Sequence, residues 1–172
     1  MLTAPPRSAR AKANDAGRAL AAAANRQASA DFVRIVLDTN MIVSGLISET
    51  GPPTRIVELC IGGDLQLVLD TRIEFEYRAV LARPALGVSA ADAADSAEVL
   101  ALLDYAERVI AAPLPFRLSD AADEPFLEAA VAGGVDALVT GNLRHFRIPG
   151  GRLAIPIVSP RRCVEMLGAP GG

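Results

Sequence analysis

The feature that most limits how this chain can fold is a set of short apolar runs that are continuous, not alternating. FVRIVL (32–37), LQLVL (65–69), VDALV (135–139) and LAIPIV (153–158) are mostly unbroken stretches of aliphatic residues. A strand with one face in water alternates apolar and polar residues, whereas a strand covered on both faces does not. The runs therefore read as strands of a parallel sheet with helices above and below it. A fifth candidate, RVIAA (108–112), precedes a proline-rich turn. Segments with helical spacing fall at about 40–47, 53–62, 71–83, 89–106, 124–132 and 160–167. Strands alternating with helices predict right-handed βαβ units in a doubly wound α/β domain of three layers. Ligands of such sheets lie beyond the carboxyl ends of the strands, and chemistry is to be sought there.

The domain is expected over residues 32–168 of the 172. An Ala/Arg-rich extension occupies 1–31, either a passive tail or a basic arm, and a short tail follows at 169–172. About half of the residues are hydrophobic, enough for a core without disulfides or structural metal. Cys60 and Cys163 are far apart and lack a CxxC partner, so buried thiols in a reducing compartment are expected, not a zinc site. No apolar run is long enough to span a bilayer, and no secretory signal is visible, so a cytoplasmic protein without membrane association is expected. Charge is unevenly spread: five basic residues and one acid leave +4 in the first 30 residues. With a net charge of −3, the remainder carries −7. An acidic domain is not built for non-specific nucleic-acid binding, and any RNA ligand would need metal ions and a few local arginines to offset that field.

Acids gather at the expected sheet mouth. The first strand runs into Asp38-Thr39-Asn40, and the fourth ends in Thr140-Gly141-Asn142. Ser119-Asp120-Ala121-Ala122-Asp123 precedes the fifth helix, and the third helix carries Glu74 and Glu76. On that helix Ile73, Tyr77, Val80 and Leu81 form the core stripe and Phe75 points away. Glu76 and Arg83 flank one edge and Glu74 the other, which leaves the choice of glutamate open. Carboxylates brought together repel, and a fold keeps such a cluster mainly when a cation offsets the cost. Hard oxygen ligands suit Mg²⁺ or Mn²⁺, and neither histidine nor cysteine is required. Each acid taken singly also suits a plainer role: Asp38 a turn, Asp123 a helix N-cap ahead of Glu124-Pro125, and Glu76 a partner for an arginine.

The blocks VRIVLDTNMIVSGLIS, EFEYRAVLARP, DAADEPFLEAAVAGGVDALVTGNLRHF and PIVSPRRCVEML occur in the order of the PIN-domain ribonucleases, and the chain resembles that family from about Phe32 to Leu167. Within it the chain is most similar to the VapC-like toxins of bacterial toxin–antitoxin pairs. The resemblance implies a sheet of strand order 3-2-1-4-5, bound Mg²⁺ or Mn²⁺, an RNA substrate, a cognate antitoxin and a homodimer. It also implies that Asp38, Glu76 and Asp123 are the catalytic, metal-binding acids, which selects Glu76 over Glu74. Asn40, Ser44 and Thr140 match polar residues that support the site. Asn142 stands where many members carry a further acid, with Asp120 a possible substitute or an ordinary helix cap. His145, the only histidine, is read as a phosphate contact or a loop surface residue.

Three functions follow for testing. In a metal-dependent endoribonuclease, the three acids hold the ion, and Arg83, Arg144 and Arg147 meet the RNA backbone. A PIN-like module that binds RNA or protein without cutting is the alternative. Aspartyl phosphotransfer is the remote one: such folds recruit a lysine beside the aspartate, and the only lysine here is Lys12 in the tail.

Overall fold

Val33–Leu37 forms β1, and its last three residues are fully buried although successive side chains point to opposite faces. Both faces of the sheet are thus covered, as the unbroken apolar runs require. The computed structural model describes residues 32–83, 90–150 and 153–168. The extension expected at 1–31 and the tail at 169–172 lie outside the described residues. In chain order β1 is followed by α1 (Thr39–Ile47), α2 (Pro52–Ile61), β2 (Leu65–Leu69), α3 (Thr71–Leu81), α4 (Ala90–Tyr105) and β3 (Glu107–Arg108). Then come α5 (Glu124–Gly133), β4 (Ala137–Val139), β5 (Ile157–Val158) and α6 (Pro160–Gly168). Short 3₁₀ turns at Ala121–Asp123 and Leu143–Phe146 lead into α5 and follow β4.

The sheet has the order β3-β2-β1-β4-β5, and all four pairings are parallel. This is the expected order 3-2-1-4-5. Register places Val33 opposite Leu65 and Leu37 opposite Val139. Asp38 and Thr140 therefore leave their strands side by side, with Asp38 N–H on the Val139 carbonyl at 3.0 Å. Helix α5 packs on β1, β2 and β4, whereas α2 packs on β2 and against α4 and α6.

Three strands are shorter than their apolar runs by two residues or more. Pro156 brings no N–H to the ladder, and β5 starts only after it. The β4 run begins late because Gly134, at φ +55°, ends α5 in a left-handed cap that continues through Val135. At the sheet edge β3 is reduced to Glu107–Arg108, and Ile110 beyond it is 99 % exposed.

The core stripe of α3 is Ile73, Tyr77 and Leu81, with Val80 half-buried and Phe75 76 % exposed. Cys60 and Cys163 are free, buried thiols, and burial pushes both above the usual thiol range. Among the described residues no helix is long and apolar enough to cross a membrane.

Candidate functional site

Asp38 is the residue on which the site is centred. It follows β1 directly and is the N-cap of α1, accepting the Asn40 N–H at 3.2 Å. Its other carboxylate oxygen accepts the hydroxyl of Thr140 at 2.7 Å, and that hydroxyl in turn accepts the Asn142 N–H at 2.9 Å. Asp38 is only 3 % exposed, and among the described residues no basic side chain pairs with it. Its neighbour on the next strand provides the contrast. Asp70 follows β2, lies beside Asp38 by extension of the register, and is similarly buried. Asp70 accepts two α3 amides and pairs with Arg72 at 2.6 Å, and Arg72 continues to Glu128 at 2.7 Å. Among the described residues one buried aspartate has a protein cation and the other has none.

The two glutamates of α3 are separated by their partners. Glu74 pairs with Arg78 at 2.8 Å and Arg108 at 3.0 Å, and these guanidinium groups, Arg108 foremost, hold its carboxyl below the usual range. Glu76 lies on the other edge and accepts a hydrogen bond from the Thr39 hydroxyl, next to Asp38. Tyr77, adjacent to Glu76, donates its hydroxyl to the Leu37 carbonyl, adjacent to Asp38. Burial first, and then the charges of Asp38, Cys60 and Glu76, push the Tyr77 phenol well above its ordinary range.

Asp123 occupies the N-cap position of α5, but its side chain makes no capping bond. Asp120 caps the 3₁₀ turn before α5, accepting the Ala122 N–H at 3.0 Å, and Glu124 accepts the N–H of Leu118 in the upstream loop at 3.1 Å. The Asp123 carboxylate instead meets Nδ1 of His145 at 3.0 Å. Burial, then the negative charges of Asp38 and Asp120, raise the Asp123 carboxyl above its ordinary value against the opposing pull of His145. His145 is half-buried in the turn after β4, with its ring on the Asp123 carboxylate. Asp120, Asp123 and His145 each present a ligand atom within 4.8 Å of the others.

The remaining sequence candidates are less engaged. Asn40 is exposed and Ser44 half-exposed one turn further along α1. Arg83, Arg144 and Arg147 are exposed and form no ion pair with another described residue. Thr39, Tyr77 and the His145–Asp123 contact were not anticipated. Thr39 was in plain view within Asp38-Thr39-Asn40; the other two depend on packing between segments distant in sequence.

The donors around Asp38 are carboxylate oxygens with hydroxyls close by, a set that fits a hard divalent cation. The buried, cation-free Asp38 and the charge crowding at Asp123 fit one as well.

Among solved structures, VapBC2 from Rickettsia felis bound to a DNA fragment from their promoter is similar at 14 % identity and a TM-score of 0.47. The match covers 73 % of this chain and 98 % of that one. No curated protein matches the chain. The PIN domain family model matches residues 34–144, which is more than half of the chain and spans β1 to the turn after β4. The chain belongs to the PIN domain family.

Proposed function

We propose that the protein is a metal-dependent endoribonuclease, with Asp38, Glu76 and Asp123 as its metal-binding acids. The observation that carries this reading is the buried carboxylate of Asp38, which has no basic partner among the described residues and whose neighbour Thr39 holds Glu76. A bound Mg²⁺ or Mn²⁺ would activate water and neutralise charge building on a phosphodiester. The residues of the chain prepare for that. Thr140 and the Asn40 amide fix the Asp38 carboxylate in one orientation. Thr39 holds Glu76 towards the same mouth, and Asn142, anchored on the Thr140 hydroxyl, offers an uncharged amide to water or phosphate. Arg83, Arg144 and Arg147 are exposed, pair with no acid among the described residues and would meet an RNA backbone. In this reading the protein is the toxin of a toxin–antitoxin pair, works in the cytoplasm and acts as a homodimer held in check by a small antitoxin.

The test is cleavage of a defined RNA by purified protein with Mg²⁺ or Mn²⁺, with chelator, and with Asp38→Asn. Activity should need the ion and disappear in the variant while its circular dichroism is retained. Undiminished cleavage by Asp38→Asn would defeat the assignment. RNA binding that needs no divalent ion and gives no product would establish the non-cutting module, which Asn142 favours by removing one negative charge from the mouth. Co-expression with the product of the neighbouring reading frame tests the toxin role: it should suppress both growth arrest and RNA cleavage.

A further inference from the structure

We infer that Asp70 and Glu128 are positioning residues that hold the Arg72 guanidinium away from Glu76 and Asp38, so that the mouth of the sheet stays open to a divalent cation. The inference rests on the reading of those two acids as metal ligands.

Helix α3 contains two pairs of opposite charge at a spacing of four residues, Arg72 with Glu76 and Glu74 with Arg78. Side chains four apart meet on one face of a helix, and opposite charges there attract. Glu74 and Arg78 do pair, at 2.8 Å. Glu76 instead takes the neutral hydroxyl of Thr39 and forms no ion pair among the described residues. Arg72 turns the other way. Its Nε and Nη2 meet the Asp70 carboxylate at 2.8 and 2.6 Å, and its Nη1 meets Glu128 at 2.7 Å.

This pairing is the harder one to build. Glu128 is only 4 % exposed, on a helix where Phe126, Leu127, Ala129 and Ala130 are buried as well. Desolvation of a buried carboxylate is often not offset by its ion pair. A cation in the first turn of α3 also opposes the helix dipole. Pairing Arg72 with Glu76 would need no buried acid at all. What the observed pairing achieves is a mouth without a protein cation. Asp38 lies one strand across from Asp70 by extension of the register, Glu76 lies one turn beyond Arg72, and neither has a basic partner among the described residues.

The test is Mn²⁺ binding to full-length protein, with free ion counted by electron paramagnetic resonance, in the wild type, Glu128→Gln, Arg72→Met and the double variant. Glu128→Gln keeps the shape of the side chain and releases Arg72, so Mn²⁺ binding should weaken by at least about tenfold. Arg72→Met should bind within about twofold of wild type, and adding it to Glu128→Gln should restore binding. Asp70→Asn keeps an acceptor for the α3 amides, should act in the same direction, and carries the test should Glu128→Gln fail to fold. Equal affinity in wild type and Glu128→Gln would overturn the inference. So would a double variant as weak as Glu128→Gln, since the network would then only brace α3 against α5. A metal-free arm separates the inference from the nuclease reading. In urea unfolding, Arg72→Met and Glu76→Gln should be additive in the wild-type background and non-additive by at least about threefold in the unfolding constant once Glu128→Gln is present. Additivity in both backgrounds would overturn the inference even if RNA is cleaved. Non-additivity confined to the Glu128→Gln background, in a protein that never cleaves RNA, would uphold the hold on Arg72 and count against the nuclease alone.

Discussion

Thr140→Val is the perturbation whose cost follows most directly from the geometry. The side chain is fully buried, and valine fills nearly the same space, so packing changes little while the hydroxyl is lost. That hydroxyl donates to the Asp38 carboxylate at 2.7 Å and accepts the Asn142 amide at 2.9 Å. A hydrogen bond to a charged group contributes about 1.5–3 kcal/mol. The Asn142 amide is half-exposed and regains water, adding only a few tenths, roughly, to the cost. The expected loss is about 2–3 kcal/mol, a fall in Tm of roughly 6–12 °C for a domain of this size. Urea denaturation of metal-free protein measures it, and the decisive arm is the same substitution in an Asp38→Asn background. With a neutral acceptor the bond should contribute only about 1 kcal/mol, so the two substitutions should be non-additive by at least that much. A cost below about 0.5 kcal/mol, or an equal cost in both backgrounds, would refute the account of how Asp38 is held.

Two carboxyls should affect acid stability in opposite senses. Glu74 is held below its usual range, so its contribution is complete above the ordinary glutamate pKa and fades as pH falls through the lowered one. Glu74→Gln should flatten that part of a stability–pH curve. Asp123 is raised, so its ionisation costs stability as pH climbs from the ordinary 3.8 through the raised value. Metal-free Asp123→Asn should therefore be more stable than wild type at neutral pH and lose that advantage below pH 3.8, which thermal melts across pH will check. Gly45→Ala would place a methyl 2.6 Å from Val57 Cγ2 and 3.1 Å from the Pro53 carbonyl, forcing α1 from α2. A destabilisation of about 1–3 kcal/mol by denaturant titration is expected, and a neutral result would show that the two helices separate freely.

The order of the elements was legible because burial on both faces imprints itself on the sequence. Leu65–Leu69 coincides with its run, and the α3 stripe coincides at Ile73, Tyr77 and Leu81. Strand length was less legible, since apolar composition cannot show that β5 starts after Pro156, whose carbonyl still accepts the Leu138 N–H. The three acids were visible as residues at strand ends and a helix edge; Glu76 meets Thr39, the neighbour of Asp38, whereas the ligand atoms that lie within 4.8 Å of one another among the described residues are those of Asp120, Asp123 and His145. Their partners were hidden. The contact of His145 with Asp123 spans 22 residues, and that of Arg72 with Glu128 spans 56, and neither carries a periodic signature. Glu128 in particular reads as part of an apolar helix until Arg72 is seen beside it.

The phenol of Tyr77 resting on the Leu37 carbonyl has a further consequence. Each end of this strut is one residue from an acid, so a rigid aromatic ring helps set the spacing between Asp38 and Glu76. The bends at 48–51 and 62–64 can then be lengthened or trimmed over generations while the two carboxylates keep their span. In the proposed nuclease, the span between these two carboxylates would thus be written into the size of one side chain, with the intervening loops left free to drift.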